Sequence, residues 1–271
     1  MKASANLLSL ALLMAAITPA RATEDLIPNH PALNDRFYFA LGAFWPQTTT
    51  SAQLNSTRLG AGASIDFENA LGLSTDKSVP SFIGRWRFGE RWRLEAEYFE
   101  LNRGGSRSLD RSIQFGDLVF PITAQVTSKF NFSDLRLSVD YSFFKTPDKE
   151  VGAGLGLHRV TYDVSLAASL VGTQQEDVWA PLPVLNLYGQ FALTEKWAVG
   201  ARLSRLSLSY GRYDGSLTSL ELDVLYQPFR HVGFGIGDRS LDIKLDVQDG
   251  NTQRRFKQAL QGPLFYMNVS F

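Results

Sequence analysis

Between Leu264 and Phe271 the chain alternates strictly: Phe265, Met267, Val269 and Phe271 fall on one side of an extended strand, Tyr266, Asn268 and Ser270 on the other. The same two-residue period recurs upstream. Trp92, Leu94, Ala96 and Tyr98 alternate with Arg91, Arg93, Glu95 and Glu97, and Leu135, Leu137, Val139, Tyr141 and Phe143 with Arg136, Ser138, Asp140 and Ser142. Leu220, Leu222, Val224 and Tyr226 alternate with Glu221, Asp223 and Gln227, and Leu241, Ile243, Leu245 and Val247 with Asp242, Lys244 and Asp246. Successive side chains of a strand point to opposite faces, so this period predicts strands with one apolar face. Such a strand ending on a C-terminal aromatic is the pattern of an outer-membrane β-barrel.

Turn-forming residues divide the alternating segments. Gly89-Glu90-Arg91, Lys145 to Glu150, Leu193 to Lys196 and Gln227 to His231 read as short periplasmic turns. Between them the chain folds back near Gly116-Asp117, Gly172, Tyr213-Asp214-Gly215 and Asp249-Gly250-Asn251, after a first hairpin closed by Ser81–Arg91. Ten strands result, near 36–46, 79–88, 91–104, 122–144, 150–167, 179–193, 196–210, 215–228, 231–248 and 253–271, with eight or twelve as alternatives. The expected fold is all-β, a transmembrane antiparallel up-and-down barrel. In the ninth strand Val232, Phe234 and Ile236 take the opposite parity to Leu241, Ile243 and Leu245, which predicts a bulge near Gly237-Asp238.

The N-terminus supplies the compartment. Lys2, the apolar stretch Leu7 to Ile17 and Ala20-Arg21-Ala22 read as a signal peptide over 1–22, followed by a periplasmic tail over 23–35 and the barrel over 36–271. That apolar stretch is shorter than the ~20 residues a membrane helix needs. Cysteine is absent, so there is no disulfide framework or lipid-modified thiol. Equal numbers of basic and acidic residues, 27 each, argue against a nucleic-acid partner. Aromatic residues near the proposed strand ends (Trp45, Trp86, Phe88, Trp92, Trp197, Tyr226, Phe229 and Phe271) fit interfacial girdles.

A charge facing lipid at mid-bilayer costs about 2–4 kcal/mol, which assigns the charged faces to the lumen. The candidate lumen-lining residues are Arg85, Arg87, Arg93, Glu95, Glu97, Arg136, Asp140, His158, Arg202, Glu221, Asp223, Asp242, Lys244 and Asp246. They describe either a salt-bridged filling or a polar pathway. Glycines 152, 154 and 156, and 233, 235 and 237, leave space on one strand face for large neighbours or an inserted segment. One candidate for insertion is Ile65 to Leu73, in which Asp66, Phe67 and Glu68 would form a constriction; the alternative is an outer loop. His158 lacks a serine two residues on, no Asp-His pairing of the outer-membrane protease type is apparent, and no metal-ligand spacing occurs. No catalysis and no cofactor are expected.

At Ser64-Ile65-Asp66-Phe67-Glu68, Leu71-Gly72-Leu73, Arg85-Trp86-Arg87-Phe88, Tyr98 to Gly105 and Ser112 to Asp117 the chain resembles a group of Gram-negative outer-membrane β-barrel proteins that carries no assigned reaction. More loosely it is similar to small OmpA-type and OmpW-type barrels. The resemblance implies a location and a fold, and no catalytic residues. The expectation is a monomer of the Gram-negative outer membrane, in contact with outer-membrane lipids and lipopolysaccharide and inserted by the barrel-assembly machinery through the Phe271 strand. A narrow channel or carrier, or a structural component, is the first functional expectation; an adhesin using outer hairpins near 104–121 and 165–180 is the second; a lipid hydrolase is the third.

Overall fold

The computed structural model describes residues 28–55, 64–250 and 252–271. The signal-peptide assignment lies outside them. In chain order the elements are α1 (Pro31–Asn34), β1 (Phe37–Phe44), β2 (Gln47–Leu54), β3 (Ile65–Asp66), α2 (Phe67–Leu71), β4 (Val79–Phe88) and β5 (Trp92–Ser108). There follow β6 (Ile113–Phe115), β7 (Leu118–Phe120), β8 (Gln125–Lys145), β9 (Lys149–Ala168), β10 (Gly172–Ala192), β11 (Trp197–Tyr210), β12 (Tyr213–Tyr226), β13 (Val232–Asp249) and β14 (Thr252–Ser270). A ring of antiparallel strands runs β1-β4-β5-β8-β9-β10-β11-β12-β13-β14 and closes where β14 pairs back onto β1. That ring has the ten strands expected from the turn positions. Strand β2 prolongs β1 along β14: the pairings Phe44↔Leu264 and Gln47↔Gln261 keep one register across Trp45-Pro46. Gly262 lies where the chain crosses this joint, and a Cβ there would stand 2.0 Å from the Trp45 carbonyl oxygen.

Apolar side chains cover the outside of the lower half. Leu155, Leu157, Leu185, Leu187, Val139 and Phe234 are all exposed, whereas Arg93, Arg136 and Asp140 are buried inside. An exterior of this kind suits hydrocarbon, not water, as the surrounding medium. Aromatic pairs ring the periplasmic edge: Phe88 stacks on Trp92 at 6.2 Å, Trp92 meets Tyr141 at 5.0 Å, Trp197 meets Tyr226 at 4.5 Å and Phe37 meets Phe271 at 5.7 Å.

Above this belt the faces exchange character without any slip of register. In β13 the odd-numbered residues from Gly233 to Val247 point inward, and pairing with β14 is continuous from Val232↔Val269 to Asp249↔Thr252. Phe234 and Ile236 face out, while Leu241, Ile243 and Leu245 are buried inside. The bulge expected at Gly237-Asp238 is therefore absent; the strand leaves the bilayer there and its outer solvent becomes water. Asp242 and Lys244 are exposed on the exterior, and Asp246 pairs outside with Arg255 at 2.9 Å, so these three do not line the lumen. A register irregularity occurs instead between Ser142 and Phe144 of β8, and it leaves both Phe143 and Phe144 exposed near the periplasmic rim. The fourth outer turn falls at Gly211-Arg212 (φ +59° at Gly211), so Tyr213-Asp214-Gly215 begins β12 and is not the tip.

Lysine at Leu155, 66% exposed within the belt, is expected to lower unfolding free energy in lipid vesicles by about 2–4 kcal/mol. At Asp242, above the belt, the same residue should cost within about 0.5 kcal/mol. Denaturant titration compares the two; equal costs would misplace the water boundary.

Candidate functional site

Strand parity brings the charged residues of seven strands onto one another inside the membrane-level bore. The first periplasmic hairpin pairs Arg85 with Glu95 and Arg87 with Arg93, and β8 sets Arg136 opposite His158. Arg85, Arg87, Arg93, Glu95, Glu97, Arg136, Asp140, His158, Arg202 and Glu221 are all buried, and Asp223 is half-buried on the same interior face. At the centre Arg136 meets Glu97 at 2.6 Å, Glu95 at 3.1 Å and Glu221 at 3.4 Å. Arg202 joins this group through Glu95 at 3.0 Å and Asp140 at 2.9 Å, and Arg93 reaches Asp140 at 3.4 Å. Arg239 closes the layer with Asp223 at 2.9 Å, and nearer the periplasm Arg87 grips both oxygens of Glu150 at 2.9 and 2.8 Å.

Two glycines make room for aromatic members of this filling. A Cβ on Gly152 would lie 2.3 Å from the Tyr188 hydroxyl, and one on Gly235 would lie 2.0 Å from the Tyr266 ring. The glycine faces thus accommodate lumenal side chains, not residues 65–73. Tyr188 in turn carries the Arg93 guanidinium on its ring, 3.3 Å from the centroid. Guanidinium, carboxylate and aromatic ring pack as solid layers, and the space left between them is small. One cavity, lined by Arg85, Arg93, Arg136, Arg202, Gln190 and Glu221 among others, measures about 50 Å³. A second, beside His158, Asp134 and Ser219, measures about 30 Å³. Such volumes hold a few waters.

The bore is also stopped at both ends. On the periplasmic side α1 turns up into the mouth with His30, Ala32 and Leu33 buried. His30 caps the turn through Nδ1, which accepts from Ala32 N at 3.2 Å. On the outer side Phe67 of α2 packs on Phe130 at 5.4 Å, and Tyr162 stacks on Phe256 at 4.9 Å and meets Phe132 at 5.1 Å. Phe115 and Phe120 of the β6–β7 hairpin are buried there too. Of the segment expected as a constriction or a loop, Phe67 fills the outer mouth. Glu68 is held by Arg103 at 2.5 Å and by Thr50 N at 2.8 Å. Asp66 caps α2 through Asn69 N at 2.9 Å.

Several partners escaped the sequence reading. His158 Nδ1 lies 2.8 Å from Asp134, so an Asp-His pair does exist, buried in the lumen above Arg136. Its signal was parity: Asp134 stands two residues before Arg136 on the same face. Glu150 and Arg239 share parity with the two glycine runs and were overlooked because glycine broke the visible alternation. Among the described residues, no group of three or more His, Asp or Glu is placed to hold a metal ion.

No family model and no curated protein matches the chain. Among solved structures, the Escherichia coli outer membrane protease OmpT superposes with a TM-score of 0.59 at 9% identity, covering 88% of this chain and 97% of that one. The Pseudomonas aeruginosa outer membrane protein OprG superposes with a TM-score of 0.41 at 11% identity, covering 91% and 99%. The OmpT likeness is one of fold. With the apolar exterior and the closed ring, it makes this chain a transmembrane β-barrel of the Gram-negative outer-membrane type.

Arg136→Gln should destabilise the barrel by about 3–5 kcal/mol, because Glu95, Glu97 and Glu221 would lose their shared counter-charge. Adding Glu97→Gln should recover part of that loss in a double-mutant cycle, and full additivity would count against the network. A pH effect is expected at the periplasmic plug. Burial, the largest cause, holds the His30 pKa below its ordinary 6.5. Undocked His30 takes a proton near pH 6.5 while the docked ring resists it, so docking is strongest above that pH and weakens as pH falls below it. Hydrogen-exchange protection of Leu33 and Asp35 amides, bonded to His30 O at 3.0 Å and Pro31 O at 2.8 Å, reports this; unchanged protection down to pH 4 would contradict it.

Proposed function

We propose that this barrel is a non-conducting outer-membrane protein that works through the half projecting beyond the lipid, as an interaction or structural surface component. The supporting observation is the filled bore: a plug at the periplasmic mouth, ion-paired layers through the membrane and an aromatic core at the outer mouth. A channel or carrier needs a continuous path, and these layers oppose one. The outer half instead has the organisation of a small soluble domain, with an apolar inside and a polar outside. Its hairpins support one another, since a Cβ on Gly116 would lie 2.8 Å from Gln174 and one on Gly172 would lie 3.9 Å from Leu118. In this outer region Val119 of β7 (48%), Ile122 of the β7–β8 link (56%) and Leu170 of the β9–β10 turn (101%) are exposed apolar side chains. Exposed apolar groups on the membrane-distal half suit contact with an external partner.

Purified folded protein in planar bilayers is expected to give no conductance steps; sustained steps would replace this reading with the channel. Val119→Ser, Ile122→Ser and Leu170→Ser together should leave folding unchanged. They should also reduce adhesion of cells carrying the protein to polystyrene by several-fold, and unchanged adhesion would remove these side chains from the proposal.

A further inference from the structure

The cations at the periplasmic mouth outnumber its carboxylates: among the described residues, Arg85, Arg87 and Lys145 share Glu150 alone. Arg87 Nη2 donates to Leu33 O at 2.9 Å, Lys145 Nζ to the same carbonyl at 3.0 Å and to Asn34 Oδ1 at 3.3 Å, and Arg85 Nη2 to Ala32 O. Three cations thus converge on two adjacent neutral carbonyl oxygens of α1. The carboxylate of this layer is Glu150, which is bound by Arg87 at 2.8 Å and lies 3.9 Å from Lys145. Arg85 is 5% exposed and has no carboxylate within ion-pair distance among the described residues. Its remaining contacts are Gln190 Oε1 at 3.1 Å and the Tyr38 ring at 4.6 Å. Nearby Glu95 and Asp140 are taken up by Arg136, Arg202 and Arg93. A buried cation without a direct ion pair is costly, and hydrogen bonds from a cation to an anionic oxygen are roughly twice as strong as neutral ones.

We propose that the periplasmic mouth is a binding site for a small oxyanion, and that the chain's own residues 30–34 occupy it. The carbonyl oxygens of Ala32 and Leu33 take the donors of Arg85, Arg87 and Lys145 that an anionic oxygen of a carboxylate or phosphate group would accept from in their place. The cavity of about 50 Å³ lined by Arg85, Arg93 and Gln190 borders these donors and has room for a few waters beside a small oxyanion. The occupying segment is held from outside by replaceable contacts. Asp35 pairs with Arg230 at 2.7 and 2.8 Å, but the Arg230 side chain is 60% exposed, and Asn34 donates to Pro147 O at 2.7 Å in an exposed position. Exposed pairs of this kind contribute at most about 1 kcal/mol. An oxyanion and the segment therefore compete for one set of donors. Binding does not require a conducting bore, because the outer aromatic core stays closed in either state.

The test uses the folded barrel in detergent, as the intact chain and as a variant lacking residues 28–35. Thermal unfolding is followed while inorganic phosphate, or separately acetate, is titrated against sodium chloride of equal ionic strength. The shortened variant is expected to show a saturable rise in midpoint, with an apparent affinity at least tenfold tighter than that of the intact chain. Arg85→Gln in the shortened variant should remove the saturable rise. A response to phosphate alone assigns the site to phosphate groups, and a response to both assigns it to oxyanions generally. A shortened barrel that responds only as it does to chloride, or an intact chain that binds equally well, overturns the proposal. If the shortened chain does not fold, Asp35→Asn with Arg230→Gln loosens the segment in the full-length protein. That variant should bind phosphate more tightly than the intact chain does, and equal binding again overturns the proposal.

Discussion

The pairing of β14 with β1 is the contact on which the rest of this structure depends. Inside a bilayer no water is available to an unpaired N–H or C=O, so a sheet that crosses it must have no edge. Tyr38↔Ser270 through Phe44↔Leu264 supplies that closure, and it joins the two ends of the barrel chain. Once the ring is shut, every side chain has only two places to go. Half of them face the medium and half are enclosed with one another, whatever their chemistry.

What the enclosed half contains then follows from the medium outside. At membrane level hydrocarbon takes the leucines and phenylalanines, so the arginines and glutamates are driven inward and must neutralise each other in a narrow bore. Arg136 among Glu95, Glu97 and Glu221 is the outcome. Buried pairs of this kind add little net stability, since desolvation offsets most of the Coulomb attraction, but breaking one is expensive. They fix position more than they contribute energy. Above the lipid the medium is water, and the same inward parity encloses Phe132, Tyr162 and Phe256 instead. One continuous barrel therefore has a polar interior below and an apolar core above.

The ends of the bore are closed by segments that do not belong to the ring. The outer closure is apolar and interlocked with the barrel wall through Phe67 on Phe130. The periplasmic closure is polar and rests on backbone carbonyls, a histidine whose burial disfavours its charged form and the pairing of Asp35 with the exposed Arg230. This asymmetry is the basis on which we propose a surface role at the outer end and a ligand site at the periplasmic mouth.

Strand number, order and most hairpin positions were legible in the sequence, because a two-residue period and Gly-containing turns are local signals. So was the inward placement of Arg85, Arg93, Glu95 and Arg136, which follows from the cost of charge in lipid. Asp242, Lys244 and Asp246 were misread because alternation reports that two faces differ and not which solvent each one meets. That depends on height above the membrane, which the ring and its turns decide. Likewise Asp134 meeting His158, α1 meeting Arg85 and Phe67 filling the outer mouth join residues far apart in the chain. Only the closed barrel brings them within contact distance, so only the tertiary structure could decide that the bore is filled.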